Sequence, residues 1–226
     1  MSTVLFDCIK AQSKIDDAVL VAFSGGKDSI VTLDLCFRYF KRVIPFFMYL
    51  VPGISFQEKL LRWYEEKYNT DIIRLPHFET SDFFRYGTFR NFDFDVPIVS
   101  ITDVYNYLRG ETGITWIAAG ERINDSIVRR AMIKHTGSID KKRGRFYPVA
   151  YWKKSEILQY IRFHKLKMGE DSKKLGFSFR SLSGKELAMV RKYYPADFEK
   201  ILKIYPFAGA SAERWERYGD NKVSEI

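Results

Sequence analysis

The sequence is poor in the side chains that hold transition metals. It has two cysteines, Cys8 and Cys36, and its three histidines are His77, His135 and His164. Structural zinc and iron–sulfur sites take about four ligands, which usually occur in closely spaced cysteine or histidine pairs. No such pair occurs in this sequence. We therefore expect neither an iron–sulfur cluster nor a structural zinc ion.

The sequence also lacks a long apolar run. The apolar stretch at residues 43–51 is interrupted by Pro45, and it is shorter than the roughly 20 residues that a membrane-spanning helix needs. The first residues, Met-Ser-Thr-Val-Leu-Phe-Asp, do not have the basic-then-apolar order of a signal peptide. We expect a cytoplasmic protein without a membrane partner.

The composition is that of a basic globular protein. The 226 residues are 46% hydrophobic, which suffices for one α/β domain with a small appendage. The net charge of +9, from 37 basic and 28 acidic residues, favours anionic partners, including nucleotides and nucleic acid. The alternative is that the basic residues lie on a surface that contacts only solvent. The clusters of basic residues lie at positions 129–134, 141–145, 153–154 and 165–174.

One segment has the pattern of a phosphate-binding turn between a strand and a helix. Residues 18–23 are apolar and end at a turn, which predicts a buried strand. Ser-Gly-Gly-Lys-Asp-Ser follows at residues 24–29, and a helical apolar pattern resumes at Ile30. Gly25 and Gly26 allow a sharp bend. Either Asp28 or Ser29 is expected to cap the helix.

The same turn offers two kinds of positive charge to an anion. The first N–H groups and the partial positive charge of a helix start favour phosphate, and Lys27 adds an ammonium group. An ordinary glycine-rich turn is the alternative. The combination of both serines, Lys27 and Asp28 after a buried strand favours a phosphate-binding loop.

The rest of the chain alternates strands and helices. Further strands are predicted at residues 43–49, 71–75, 115–119 and 146–150, and a helix is expected to begin at Ser55 with a capping box to Glu58. Strands separated by helices predict an α/β fold, a doubly wound and mainly parallel five-stranded sheet with helices on both faces. From residue 181 the pattern is helical. We therefore expect a nucleotide-binding domain at 1–180 and a helical C-terminal extension or lid at 181–226.

Residues 78–99 are rich in phenylalanine, with arginines between them. Such a mixture is typical of segments that stack the bases of a single strand. It is also typical of a loop that covers a core, and this second interpretation is favoured.

A second group of polar residues follows the predicted strand at 115–119. Gly120 allows close approach of the backbone, while Arg122 and Arg129 are suited to phosphate or sulfate oxygens. Ligands bind at the carboxyl edge of a parallel sheet. Both this segment and residues 24–29 should open on that edge, so we expect them to share one nucleotide site. Surface arginines at an ordinary helix start are the alternative.

These residues resemble a known superfamily. Residues 24–29 resemble the PP-loop, Ser-Gly-Gly-x-Asp-Ser, of the ATP pyrophosphatases (adenine nucleotide alpha-hydrolase-like proteins). With Phe23, they are similar to the branch of the ATP sulfurylase small subunit and the phosphoadenosine phosphosulfate (PAPS) reductase-like proteins. Residues 120–129 are similar to that family's Gly-x-Arg-x-x-Glu-Ser-x-x-Arg segment, with Asp125 in place of glutamate, and residues 148–152 to its Pro-x-x-x-Trp stretch.

The resemblance implies an ATP pyrophosphatase. ATP would be cleaved at the α-phosphate, which adenylylates an acceptor and releases pyrophosphate. The adenine is expected near Ala22 and Tyr49, and a magnesium ion, if held by protein, at Asp28. The catalytic residues are predicted to be Lys27, Asp28, Arg122 and Arg129. The predicted nucleotide-binding residues are Ala22, Phe23, Ser24, Gly25, Gly26, Lys27, Asp28, Ser29, Tyr49, Gly120 and Arg122.

The chain departs from the family in one respect that concerns chemistry. Sulfonucleotide reductases use a C-terminal cysteine as nucleophile, whereas no cysteine lies beyond Cys36 here. Thiolate attack needs that sulfur, so we do not expect a thiol-dependent reductase. The acceptor is unidentified, and sulfur transfer would need a sulfur-donor protein as partner. The alternatives are a sulfonucleotide-binding protein that lacks the reductase cysteine, and a non-catalytic, nucleotide-gated nucleic-acid-binding module.

Overall fold

The computed structural model describes residues 3–219. These residues contain one six-stranded sheet, in the order β3-β2-β1-β4-β6-β5. The strands are β1 Ala18–Ala22, β2 Arg42–Tyr49, β3 Ile73–Pro76, β4 Ile117–Ala118, β5 Ile139–Asp140 and β6 Arg145–Phe146. A 3-10 helix, Thr3–Phe6, precedes the α-helices. These are α1 Asp7–Gln12, α2 Lys27–Tyr39, α3 Ser55–Tyr68, α4 Glu79–Tyr86, α5 Ile101–Thr112, α6 Ile127–Thr136, α7 Lys154–Phe163, α8 Glu170–Lys174, α9 Gly184–Tyr193, α10 Pro195–Ile204 and α11 Ala208–Tyr218.

The sheet is mainly parallel, which confirms the expected α/β fold. Strand β1 pairs in parallel with β2 and with β4, and β4 pairs in parallel with β6. The sheet has one strand more than expected, because β5 pairs antiparallel with β6. The two strands have two residues each, too few for a recognisable alternation of apolar and polar residues. The backbone N–H of Arg143 donates to Asp140 Oδ1 at 3.1 Å in the connecting turn.

Two predicted strands are shorter in the structure. Strand β4 is limited to two of the five predicted residues. The predicted strand at 146–150 leaves the sheet after Phe146 and turns, since the N–H of Ala150 bonds to the carbonyl of Tyr147 at 3.0 Å. Residues 146–150 are all buried. An apolar run that is buried in a turn cannot be distinguished from a buried strand by its hydrophobicity.

The chain forms two compact units that alternate along the sequence. The first consists of the chain up to residue 48 together with residues 60–75 and 106–168. Of the described residues, the second contains 49–59, 76–105 and 169–219. The expected domain boundary at residue 180 stays a prediction, and residues 220–226 of the expected extension lie outside the described residues.

The first unit buries its parallel strands and the apolar side of α2. Val19, Leu20 and Val21 in β1 are completely buried, as expected for a strand covered on both faces. Helix α6 is held to the sheet by a small cluster around Ile133. None of the helices within residues 3–219 combines the length and the hydrophobicity that a membrane span requires.

The second unit has its own core, to which helices α9, α10 and α11 contribute. Part of the aromatic segment at 78–99 belongs to this core, because Phe83, Phe84 and Phe89 pack against it. Phe92 and Phe94 are exposed instead, at 65% and 60%. The first half of the segment therefore covers a core as expected, but it does so mainly as helix α4 and not as a loop.

Candidate functional site

The turn after β1 is built on the two glycines. The N–H of Phe23 still bonds to the carbonyl of Phe46 in β2 at 2.9 Å, and the chain then leaves the sheet. Gly25 has a φ of +73°, a conformation that side chains with a Cβ rarely adopt. Gly26 is extended and is the N-cap of α2. The expected capping by Asp28 or Ser29 is therefore wrong, because both lie inside the first helical turn.

The serines of the loop bond to the loop itself. Ser29 Oγ donates to the carbonyl of Gly26 at 2.9 Å, and Ser24 Oγ lies 3.2 Å from Ser29 Oγ. No side chain caps α2 at Gly26. Since the first N–H groups of a helix have no partner within the helix, this end of α2 presents backbone donors to an anion.

Asp28 is at the centre of the charged groups. Its Oδ2 lies 2.6 Å from Lys27 Nζ, and its Oδ1 lies 2.9 Å from Arg122 Nε. Arg122 is 6% exposed. One carboxylate thus contacts two cations, one from the start of α2 and one from the segment after β4.

Asp125 fixes the orientation of Arg122. Its Oδ2 accepts from the backbone N–H of Arg122 at 2.9 Å, and its Oδ1 lies 2.8 Å from Arg122 Nη2. The carbonyl of Trp152 accepts from Arg122 Nη1 at 3.4 Å. Arg129 Nη1 is more distant from Asp125 Oδ2, at 3.5 Å. The Asp125 carboxylate therefore positions Arg122 more directly than it positions Arg129.

Arg129 lies at the edge of this group. Its backbone N–H donates to Ser126 Oγ, the N-cap of α6, at 3.1 Å, and its side chain is 46% exposed. It is therefore a surface arginine that can swing towards a ligand, in contrast to the buried Arg122.

Gly120 brings the two segments together. A Cβ at this position would lie 2.8 Å from the backbone nitrogen of Ser29 and 3.0 Å from the carbonyl carbon of Asp28. The parallel pairing of β1 with β4 aligns the two strand ends. The first turn of α2 and the segment 120–129 thus form one group of residues, as the sequence predicts.

A magnesium ion here would have Asp28 as its protein ligand. The 2.9 Å contact of Asp28 Oδ1 with Arg122 Nε does not have hydrogen-bond geometry, and neither buried atom has another hydrogen-bond partner. In the described part of the chain, no three histidine, cysteine, aspartate or glutamate side chains cluster. The site fits an ion that is completed by phosphate oxygens and water, the usual manner of magnesium binding.

Phe23 and Tyr49 are predicted nucleotide-binding residues whose contacts with a ligand stay predictions. The Phe23 side chain is 1% exposed and packs edge-on against Tyr64, with the ring centroids 5.0 Å apart. Phe23 can therefore offer only its backbone. Tyr49 is the last residue of β2 and belongs to the second unit, and its place beside an adenine, like that of Ala22, stays a prediction.

Sequence reasoning missed a second ion pair beside the group. Arg145 Nη2 lies 3.1 Å from Glu121 Oε1, and the Arg145 guanidinium lies over the Tyr147 ring at 5.5 Å. Glu121 Oε2 is buried without a hydrogen-bond partner. The predicted strand begins only at Phe146, so the sequence gives no reason to place Arg145 beside Glu121.

Comparison with protein families gives one match over most of the chain. The phosphoadenosine phosphosulfate reductase domain matches residues 18–170. This range includes the loop at 24–29, the segment at 120–129 and Trp152. A search of curated proteins finds no match.

Solved structures share the fold at low sequence identity. An NH3-dependent NAD synthetase from Campylobacter jejuni superposes with a TM-score of 0.51 at 16% identity, and the match covers 99% of this chain and 96% of that one. A phosphoadenylyl-sulfate reductase from Candida auris, in a phosphate complex, gives 0.51 at 14% identity, over 76% and 85% of the two chains.

Proposed function

The chain belongs to the phosphoadenosine phosphosulfate reductase domain family of the PP-loop superfamily, and we propose that it is an ATP pyrophosphatase. It would bind ATP at residues 24–29, cleave it at the α-phosphate, adenylylate an acceptor and release pyrophosphate. The activity is an AMP-forming transferase reaction, in which a later nucleophile such as ammonia or sulfide displaces AMP.

The observation that carries the proposal is the convergence of Lys27, Asp28 and Arg122 at the start of α2. Two cations, 2.6 and 2.9 Å from one carboxylate, lie at a helix end that no side chain caps. A polyphosphate brings enough negative charge to engage both cations together with the backbone N–H groups. The arrangement supports binding of the phosphates rather than of the base.

In the chemical step, the protein would position the reactants and neutralise the developing charge. An acceptor oxygen forms a bond to the α-phosphorus while the bond from that phosphorus to the pyrophosphate oxygen breaks, and the acceptor proton passes to solvent. Lys27 and Arg122 would neutralise the charge that develops on the phosphates. Asp125 would keep the Arg122 guanidinium in place, and Arg129 would swing in from the surface.

Asp28 is the residue that would hold magnesium. The ion would neutralise phosphate charge and favour the departure of pyrophosphate. When Lys27 turns to the phosphates, the Asp28 carboxylate loses that counterion and is then suited to a cation.

A second candidate follows from the family match itself. The protein would bind PAPS or a related sulfonucleotide without reducing it. The absence of cysteine beyond Cys36 removes the nucleophile on which thiol-dependent reduction depends. Tight PAPS binding without pyrophosphate release from ATP would favour this candidate over the first.

The test is release of pyrophosphate from ATP in the presence of magnesium and candidate acceptors, with labelled AMP followed in parallel. Lys27→Ala should abolish release, because the loop loses its ammonium group. The matched control is Lys41→Ala, whose side chain is 85% exposed and pairs with Asp17. Pyrophosphate release by Lys27→Ala at the wild-type rate would refute the site.

A further inference from the structure

Two exposed surfaces of this chain combine apolar side chains with charge of one sign. The first lies on α6, a helix of which Ile133 is the only buried residue. The aliphatic residues Ile127 and Val128 are 83% and 77% exposed. We define the α6 surface by five exposed residues that lie next to one another around this helix: Ile127, Val128, Arg130, Ala131 and Lys134.

The charge on the α6 surface is positive. Arg130 and Lys134 are four residues apart, so they lie on the same side of the helix, next to the row formed by Ile127 and Ala131. Helix α6 contains no aspartate and no glutamate. The two cations therefore form a rim along an apolar strip, and no carboxylate of the helix neutralises them.

The second surface is a loop between α4 and α5 whose charge is of the opposite sign. Residues 91–108 contain no lysine and no arginine, although the chain as a whole has a net charge of +9. Exposed carboxylates alternate with exposed phenylalanines along this loop. We call residues 91–98 the acidic loop; its exposed apolar residues are Phe92, Phe94 and Ile98, and its exposed carboxylates are Asp93 and Asp95.

Hydrogen bonds and ring contacts fix the shape of the acidic loop. The rings of Phe92 and Phe94 pack on each other with their centroids 4.8 Å apart. Arg85 Nη1 donates to the carbonyls of Phe94 and Val96 at 2.5 and 2.8 Å. Arg85 adds one positive charge beside two carboxylates, so the loop keeps a net negative charge. Because the aromatic pair is already ordered, it loses little conformational entropy on binding.

We propose that this chain associates with itself head to tail: the acidic loop of one molecule packs on the α6 surface of a second molecule. The phenylalanines of the loop would cover the aliphatic strip of α6, and the carboxylates would face Arg130 and Lys134. An apolar centre with a charged rim is the usual composition of a protein interface, and opposite charges favour the encounter of two molecules. The inference concerns assembly and does not depend on the proposed function.

Charge disfavours the other occupants of these two surfaces. Two α6 surfaces brought together would oppose cations to cations, and two acidic loops would oppose carboxylates to carboxylates. A foreign acidic protein or an anionic membrane would cover the α6 surface and leave the acidic loop exposed. A second copy of the chain covers both surfaces. Since the contact joins unlike surfaces, it closes into a ring or continues as a filament.

Self-association is tested by sedimentation velocity of the full chain over a range of protein and salt concentrations. The wild type should form assemblies that dissociate as the salt concentration rises, because salt screens the charged rim. The double variant Arg130→Glu/Lys134→Glu should associate at least roughly tenfold more weakly. The matched control is Lys10→Glu/Lys14→Glu, which reverses two exposed lysines of the same spacing at the end of α1 and in the turn after it. A wild type that stays monomeric, or equal loss in both double variants, would overturn the inference.

Complementary charge reversal tests which surfaces meet. Asp93→Asn/Asp95→Lys makes the acidic loop positive, and the amide introduced at position 93 can still accept the hydrogen bond that the Asp93 carboxylate accepts within the loop. This variant should associate as weakly as Arg130→Glu/Lys134→Glu. A mixture of the two variants should associate again, because every contact between them joins opposite charges. If circular dichroism shows that both variants are folded and their mixture stays monomeric, the head-to-tail contact is refuted.

The apolar centre of the contact is tested by Ile127→Ser/Val128→Ser. Association should weaken roughly tenfold or more, because the aliphatic strip is lost. The control is Phe163→Ser, which removes an apolar side chain that is 78% exposed on α7 and should leave association unchanged. Lys27→Ala should also associate like the wild type, which separates this inference from the phosphate site. Unchanged association of Ile127→Ser/Val128→Ser would show that the α6 surface is not the contact.

Discussion

Arg122 places its Nε 2.9 Å from Oδ1 of Asp28, so that the segment after β4 supplies the counterion for the first turn of α2. The Arg122 side chain is 7% exposed. Arg122 is buried and the Asp28 side chain is 19% exposed; without this contact the counterion left to Asp28 is Lys27, and the counterion left to Arg122 is Asp125. Breaking an ion pair that has a buried partner is costly.

We expect Arg122→Ala to lower the free energy of unfolding by roughly 3 kcal/mol, since both Asp28 and Asp125 lose their buried cation. The comparison variant is Arg129→Ala, which removes a half-exposed arginine from the same Asp125 and should cost less than about 1 kcal/mol. Urea unfolding of both variants measures the difference. Similar losses of unfolding free energy in the two variants would contradict the conclusion that Arg122 is the main counterion of Asp28 and Asp125.

Gly120→Ala tests the close approach of the two loops. The added methyl group would lie 2.8 Å from the Ser29 nitrogen, which is backbone and cannot rotate away. The start of α2 must shift, at a cost of about 1 to 3 kcal/mol, and ATP binding should weaken at least tenfold. Gly110→Ala is the control: it lies in α5, and no atom beyond its chain neighbours and the backbone of its own helix lies within 4 Å of the added carbon. It should stabilise the helix by roughly 0.5 to 1 kcal/mol. Isothermal titration calorimetry with ATP measures the change in affinity, and thermal unfolding measures the change in stability.

The sequence predicts the meeting of the two loops better than it predicts the contacts between their side chains. Two loops at the ends of parallel strands must meet at one edge of the sheet, and Gly120 and Ser29 do so. The pairing of Asp125 with Arg122 rather than chiefly with Arg129 depends on side-chain rotamers, which spacing does not determine. Arg145 comes next to Glu121 through the register of a two-residue strand, for which periodicity gives no signal.

Asp34 is a buried charged residue that the sequence does not predict. It lies inside α2 at 1% exposure, where an apolar residue is expected. Burial works against its ionised form, but hydrogen bonds from Arg38, Tyr160 and Tyr68 outweigh burial and lower the pKa of the carboxyl group. The three donors come from α2, α7 and α3, so the carboxylate links three helices of the first unit.

The lowered pKa of Asp34 makes stability depend on pH in a definite direction. The unfolded carboxyl group has a pKa of about 3.9, so its contribution is complete above that value and is lost as the pH falls through the lower folded pKa. Asp34→Asn should cost on the order of 1 to 3 kcal/mol at pH 7. The difference between wild type and variant should shrink below about pH 4. Urea unfolding at several pH values tests this, with the exposed Asp17→Asn as control. A difference that stays constant down to strongly acidic pH would show that Asp34 is not ionised in the fold.

The N-terminus of α3 lies in the second unit, and a residue that is distant in the sequence caps it. The sequence predicts that Ser55 caps α3 by a bond to Glu58, but the Glu58 N–H bonds to the Ile54 carbonyl instead. Asp197, 2% exposed in α10, accepts from the N–H of Ser55 at 3.0 Å.

Asp197 therefore does the work of an N-cap residue, although it lies far from α3 in the sequence. Asp197→Ala should lower the free energy of unfolding by about 1 to 2 kcal/mol, and Asp197→Asn, which keeps an acceptor, by less. Glu199→Ala, an exposed change in the same helix, should stay within about 0.5 kcal/mol. Amide hydrogen exchange at the start of α3 should accelerate in Asp197→Ala and stay unchanged in Glu199→Ala. Equal exchange in the two variants would mean that α3 is capped by other groups.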